Sequence, residues 1–169
     1  ESNNYLEGTY GNDTLIGHAG DDQLYGNTGD DEYRFSRGDG NDWIYDAGGN
    51  DKIVFDASIV PADVKARWDS NGLLILGIDA SNSITLGSHT GSADSYVGRL
   101  REPDANRIIE SVEFSNNTKW SFQDLLQQAQ ISTAGNDVIF GSNLTESING
   151  AQGNDSIFAG AGNDTLIGG

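Results

Sequence analysis

Along the first third of the chain, apolar side chains come singly and at a fixed interval, not in helical or long-strand patterns. Leu15, Leu24, Tyr33, Ile44 and Ile53 each stand two residues after an aspartate: Asp13, Asp22, Asp31, Asp42 and Asp51. Each aspartate in turn stands two residues after a glycine: Gly11, Gly20, Gly29, Gly40 and Gly49. The aspartates advance by nine, nine, eleven and nine residues, and Asn4 with Leu6 fits the frame as a worn first unit. A glycine, a carboxylate and an apolar residue at a short fixed period mark stacked repeats. The Gly/Asn/Asp half of each unit suits a tight turn, because these residues tolerate positive φ. The other half, such as Thr14-Leu15-Ile16 or Glu32-Tyr33-Arg34-Phe35, is a short strand with its apolar residue pointing inward. Two units make one coil with turns on opposite sides. Asp13 is therefore expected over Asp31, Asp22 over Asp42 and Asp31 over Asp51.

The pattern changes after Phe55. Val64 to Trp68 alternates like a half-buried strand, Asp69-Ser70-Asn71-Gly72 reads as a hairpin turn, and Leu73 to Leu76 is an apolar strand that can pair with Ser83 to Leu86. Residues 87 to 107 are polar and irregular, with Tyr96 and Leu100 as anchors. Ile108 to Phe114 reads as a further strand. Ser121 then caps a short helix, with Asp124 three residues on and Phe122, Leu125, Leu126 and Ala129 along one face. Trp68, Trp120, Phe122 and Leu125 are expected to form the core of a cap over the open end of the coil. The repeats resume at Asp137, Asp155 and Asp164, with Ile139, Ile157 and Leu166 as apolar partners; Glu146 and Ile148 form a worn unit between them. Asp137 is expected to stack on Asp155. The pairing of Glu146 with Asp164 is the weaker one, because Leu144 replaces the turn glycine. Three regions result: 1–55, a first array; 56–130, a β-rich capping block ending in the helix; and 131–169, a second array expected to continue in a longer parent chain.

Charge sharpens this picture. Nine Lys and Arg against 26 Asp and Glu give a net charge of −17. Such a surface argues against nucleic acid and anionic membrane as partners, which need basic patches. It also opposes compaction until cations bind. With 23 glycines and only 36% hydrophobic residues, a thin roll has little core of its own, and metal is expected to supply part of its stability. Stacked carboxylates beside glycine-turn carbonyls, with no Cys and no nearby pair of His, form an oxygen-only array. Calcium takes roughly six to eight oxygens in irregular geometry, whereas magnesium demands a tight octahedron. The ligand candidates are Asp13, Asp22, Asp31, Asp42, Asp51, Asp137, Asp155 and Asp164. The adjacent Asp21, Asp30 and Asp39 read as solvated turn charges.

No catalytic constellation is expected. His18 and His89 stand alone, Gly87-Ser88-His89 does not match a nucleophile elbow, and Glu110 and Glu113 fall on opposite faces of a strand. No apolar run is long enough to span a bilayer. The absence of cysteine alone decides no compartment. No signal peptide opens the chain, which starts at Glu1 within the repeat pattern, as a segment of a longer protein would.

The units resemble the glycine- and aspartate-rich nonapeptide repeats, GGxGxDx(apolar)x, of RTX proteins. The middle block resembles the calcium-binding-protein-related region that flanks such arrays. That second likeness rests on the Gly-Asn-Asp-Trp-Ile run, the Ile-Glu-Ser-Val-Glu-Phe strand and the Trp-Ser-Phe-Gln-Asp-Leu-Leu helix start. The resemblance implies an all-β fold, a right-handed parallel β-roll with several calcium ions in its turns. It carries the family's ligand position onto Asp13, Asp22, Asp31, Asp42 and Asp51. Arg37 and Asp46 depart from the motif, since they stand at its first glycine. The resemblance further implies a calcium-dependent folding and secretion module of a large secreted protein (toxin, adhesin or exoenzyme), exported unfolded by a type I secretion system, with any glycan or cell-surface target elsewhere in the parent chain. The alternatives are a recognition module of an adhesin or an accessory module of a carbohydrate-active enzyme. For a recognition face, Tyr25, Tyr45 and Tyr96 are the candidate aromatics, and they are read as non-periodic.

Overall fold

The computed structural model describes residues 2–69, 73–88, 109–141 and 145–169. The expectations placed on the turn at 70–72, His89, Tyr96, Leu100, Ile108 and Leu144 lie outside these residues.

The first array forms six short strands: β1 (Tyr5–Glu7), β2 (Thr14–Leu15), β3 (Gln23–Thr28), β4 (Glu32–Phe35), β5 (Asn41–Gly48) and β6 (Asp51–Phe55). Successive strands alternate between two sheets. One stacks β1, β3 and β5 in parallel, with Leu6, Leu24 and Ile44 in line; the other stacks β2, β4 and β6, with Leu15, Tyr33 and Ile53 in line. Each coil thus adds one strand to each sheet, which is the connectivity of a parallel β-roll. Only one side chain per strand need point inward to fill the gap between the sheets. Leu24, Tyr33, Ile44 and Ile53 are all at most 1% exposed.

The middle block does more than close the end. Its strand β9 (Ser83–Ser88) joins β5 in parallel, and its strand β10 (Ile109–Phe114) joins β6 in parallel, so the block contributes another layer to both sheets. Direction then reverses. Strand β8 (Leu74–Gly77) pairs antiparallel with β9, the pairing of segments expected from sequence, with Leu74 opposite Leu86, and β7 (Lys65–Trp68) pairs antiparallel with β8. On the other sheet β11 (Lys119–Ser121) closes on β10. A strand that runs against its neighbour needs only a short turn, so the block can end each sheet without another coil.

Helix α1 (Phe122–Ala129) follows, capped as the sequence predicts: Ser121 Oγ accepts from the Asp124 N–H and the Asp124 carboxylate accepts from the Ser121 N–H at 2.7 Å. Leu125, Leu126 and Ala129 are buried under it. Trp68 and Leu125 lie in the core, and Trp120 and Phe122 pack partly buried against it.

The second array forms β12 (Val138–Phe140), β13 (Ser147–Asn149), β14 (Ser156–Phe158) and β15 (Thr165–Ile167). Strand β12 pairs with β14 and β13 with β15, again parallel and in nonapeptide register. Phe140 packs edge-on against Trp68, ring centroids 5.7 Å apart, so the cap's core touches both arrays.

Candidate metal sites

The turns stack because glycine lets them. At Gly29, φ is +122°, a conformation costly for other residues, and an added Cβ would sit 2.7 Å from the carbonyl oxygen of Gly11 in the coil before. At that spacing the ligand-candidate aspartates form ladders. The Asp13 N–H donates to Asp31 Oδ1 and the Asp31 N–H to Asp51 Oδ1, both at 2.8 Å. On the opposite side Asn4 donates to Asp22 Oδ1 at 2.6 Å and Asp22 to Asp42 Oδ1 at 2.9 Å. Each expected pair is therefore brought together, and Asn4 takes its place at the start of one ladder.

Asp21 and Asp30, read from sequence as solvated charges, are exposed but also paired. Asp21 accepts from the Asn41 N–H at 2.8 Å, and Asp30 from the Asn50 N–H at 3.0 Å. They form an outer ladder that the sequence reading did not anticipate. Asp39 instead turns back on its own loop, accepting from the Ser36 N–H.

Each accepting carboxylate gives one oxygen to the inner ladder, while Asp13 and Asp137, which only donate to it, accept from the N–H groups of Thr9 and Thr133 in their own turns. The other oxygen, Oδ2 of Asp22, Asp31, Asp51 and Asp155, is buried with no hydrogen-bond partner. A buried carboxylate oxygen left unpaired is costly. In three of these units it points into the space kept open by the unit's first glycine: an added Cβ would clash with Asp22 Oδ2 at Gly17 and with Asp31 Oδ2 at Gly26, and would lie 2.6 Å from Asp155 Oδ2 at Gly150. Burial pushes Asp31 up to about 6, Asp42 to about 7 and Asp51 to about 8; facing acids add to the rise, and the ladder hydrogen bonds oppose it. Negative oxygens, buried, unpaired and grouped around a glycine-lined gap, fit a hard divalent cation with oxygen ligands. Among the described residues histidine plays no part here: His18 is exposed, with φ of +61°.

The two ladders of the first array end differently. On one side Asn82, from the cap, accepts from the N–H groups of Gly38 and Gly40, and Arg37 reaches out to Asp63 and Asp79, each at 2.6 Å. On the other side Glu110 takes the next ladder position: its Oε2 accepts from the Asp51 N–H at 2.6 Å. Its placement follows from an irregularity in β10, where the register shifts between Ile109 and Ser111. Asp46 stands at a first-glycine position beside the same ladder, 3% exposed, and accepts from the Tyr33 hydroxyl at 2.6 Å. Sequence reasoning missed Glu110 and Asp46 as site residues. The signal for Asp46 was an acid where the motif has glycine; for Glu110 there was none, since a bulge is not legible in a strand pattern.

In the second array Asp137 donates through its N–H to Asp155 Oδ1 and Glu146 to Asp164 Oδ1, each at 3.0 Å. The doubt over Glu146 with Asp164 is thus corrected: the register holds between their turns.

One further reading is revised. Tyr5, Tyr25 and Tyr45 recur every coil and form a row on the outer face of the first sheet, with Tyr25 and Tyr45 stacked and Tyr5 tilted by 35° against Tyr25. Centroids are 4.8 Å apart between Tyr5 and Tyr25 and 4.4 Å between Tyr25 and Tyr45. The row's period is the coil, not the nonapeptide, which is why the unit-by-unit reading did not show it.

Comparison with known proteins fits this geometry. The family profile described as the RTX calcium-binding nonapeptide repeat matches four copies, at residues 1–33, 38–57, 131–143 and 140–169, together more than half of the chain. No curated relative matches. Among solved structures, the extracellular lipase LipA from Serratia marcescens is similar over 98% of this chain at 20% identity and a TM-score of 0.48; the chain spans 27% of that enzyme's length.

Proposed function

Because the chain belongs to the RTX calcium-binding nonapeptide repeat family, we propose that its two arrays are calcium-driven folding elements of a larger secreted protein. The family's repeats bind several calcium ions. In this chain the ions would be held by Asp13, Asp22, Asp31, Asp42 and Asp51 in the first array, and by Asp137, Asp155 and Asp164 in the second. The observation that carries the reading is the set of buried, unpartnered Oδ2 atoms. The ion supplies the positive charge that the stacked carboxylates lack. The residues do the rest: the ladders hold Oδ1 of Asp22, Asp31, Asp42, Asp51, Asp155 and Asp164, Thr9 and Thr133 hold the carboxylates of Asp13 and Asp137, and the glycines keep the gap open.

The secretion role follows from charge. With a net charge of −17, a chain in a calcium-poor cytosol is held open by self-repulsion, and calcium outside the cell would fold it. Export through a type I system as an unfolded chain is the route this supports. Among the described residues no helix is long and apolar enough to cross a membrane. The parent's own activity (toxin, adhesin or exoenzyme) belongs to the rest of that protein. We give this segment a scaffold role and no catalytic one.

The test is far-UV circular dichroism of the 169-residue chain during calcium titration, with magnesium as control. A cooperative gain of β signal with calcium alone supports the proposal. A chain equally folded in chelator would sink the secretion switch, and the cap would then be the element that holds the fold.

A further inference from the structure

The cradle beside Gly26 differs from its neighbours. At Gly8 an added Cβ would meet Asp13 Oδ2 and, from the next coil, the backbone carbonyl of Gly26. At Gly26 the corresponding neighbours are Asp31 Oδ2, the Tyr33 hydroxyl and, from the next coil, Asp46 Oδ2 at 2.7 Å. A carboxylate thus stands where the preceding coil offers a peptide carbonyl. Ligand-capable oxygens of Asp31, Asp46 and Asp51 all lie within 4.8 Å of one another, and all three residues are buried. Asp31 and Asp51, at 1% and 0% exposure, each keep one oxygen unpartnered in this space.

Asp46 has an alternative role, as the acceptor for the buried Tyr33 hydroxyl. That role does not require an acid. A buried phenol needs an acceptor, and an amide oxygen would serve. A charge placed between two other buried carboxylates is costly unless something positive joins them. The ion pairs among the described residues engage Glu32, Asp63, Asp79 and Glu113 with Lys and Arg, and none of these three aspartates. Two hydrogen bonds hold the Asp46 carboxylate in place, from the Gly48 N–H at 2.7 Å and from the Tyr33 hydroxyl at 2.6 Å. It is oriented into the gap, and no Lys or Arg among the described residues pairs with it.

We propose that Asp46 is a third carboxylate ligand, which makes the Asp31–Asp46–Asp51 cradle the tightest divalent-cation site of the chain and the first to fill. The proposal rests on the calcium reading above and adds to it a residue outside the repeat's ligand position. Ligand charge count tunes calcium affinity over orders of magnitude in carboxylate sites. The third carboxylate also places the first ion beside β10, so its binding would tie the array to the cap before the outer coils fill.

Calorimetric calcium titration of the whole chain tests this, comparing wild type with Asp46→Asn, Asp46→Gly and Tyr33→Phe. The wild type is expected to show one site tighter than the rest. Both Asp46 variants are expected to weaken that site by about tenfold or more and to leave the remaining sites within about twofold. Tyr33→Phe, which keeps the carboxylate, is expected to retain a distinct tight site. A wild type that binds calcium with no change on Asp46→Asn overturns the proposal and leaves the general calcium reading standing. A wild type that binds no calcium overturns both. If the variants do not fold in saturating calcium, a crystal structure of the calcium-loaded wild type decides: an Asp46 oxygen at about 2.3–2.6 Å from the ion supports the proposal, and an ion bound by Asp31 and Asp51 without Asp46 overturns it.

Discussion

The two arrays carry one motif and bury it to different depths. In the first, Leu24, Tyr33, Ile44 and Ile53 are sealed between two sheets of five and six strands. In the second, Ile139 and Ile148 are buried, but Ile157 is only partly buried and Leu166 is 50% exposed, and each sheet has two strands among the described residues. The sequence units are equivalent, so the difference lies in the neighbours. A coil in a stacked repeat is stabilised by the coils on either side. The first array has the middle block's β9 and β10 laid over its last coil, and the described second array meets the cap through Phe140 against Trp68. The motif thus sets the form of a coil, and stacking sets its stability.

Calcium removal should break the comparison most widely. In chelator, hydrogen exchange measured by mass spectrometry should show the second array losing protection completely, while β5, β6, β9 and β10 keep a part of theirs through the shared core. Equal loss in both arrays would mean that the cap adds nothing to the first.

A pH series on the calcium-free chain comes next. Burial raises Asp31 to about 6, Asp42 to about 7 and Asp51 to about 8, above the unfolded carboxylate at about 4. Groups raised on folding favour the folded state while protonated. Without calcium the first array should therefore be most stable below about pH 4 and lose stability as pH climbs through 6, 7 and 8. Calcium affinity should run the opposite way and strengthen over that window, because the ion binds the deprotonated form. Urea midpoints and calcium titrations across pH 4 to 9 check both signs.

Core truncation sharpens the contrast directly. Ile53→Ala, at a fully buried position, should cost about 2–5 kcal/mol in calcium-loaded unfolding. Leu166→Ala, half exposed, should cost under about 1 kcal/mol. Similar costs would contradict the difference in packing. Gly29→Ala tests the turn instead: a side chain at φ of +122° against the coil before should cost about 1–3 kcal/mol and weaken calcium binding. The smallest effect is expected at Arg37→Ala, where the paired groups are about one-third exposed. Such pairs contribute roughly 0.2–1 kcal/mol, so denaturant unfolding should move by no more than that and calcium binding should be unchanged.

Several local features were legible in advance. The step of nine residues between aspartates gave the coil, and the stacked pairs Asp13 with Asp31, Asp22 with Asp42 and Asp31 with Asp51 followed from it. Ser121 and Asp124 marked the helix start because a capping box is a local exchange of hydrogen bonds. The outer ladder through Asp21 and Asp30, the tyrosine row and the role of Glu110 were not legible. The outer ladder has the 20-residue spacing of the inner one, but whether a turn carboxylate faces solvent or the next coil's N–H is not written in the repeat; Glu110 reaches Asp51 across 59 residues, and the tyrosine row appears only when whole coils are aligned.

By itself, then, the sequence determined the repeat, the inward apolar column, the acidic turns and the chemistry those turns invite, because each depends on residues within one or two units. Only the tertiary structure decided which acids outside the repeat's ligand position join the stacked pairs in the core. It brought Asp46 from the first-glycine position and Glu110 from a bulged strand, 59 residues beyond Asp51, to the end of one ladder. The other ladder it closed with Asn82, beside Arg37 and its acidic partners. Charge burial is a property of the assembled coils, and no single unit contains it.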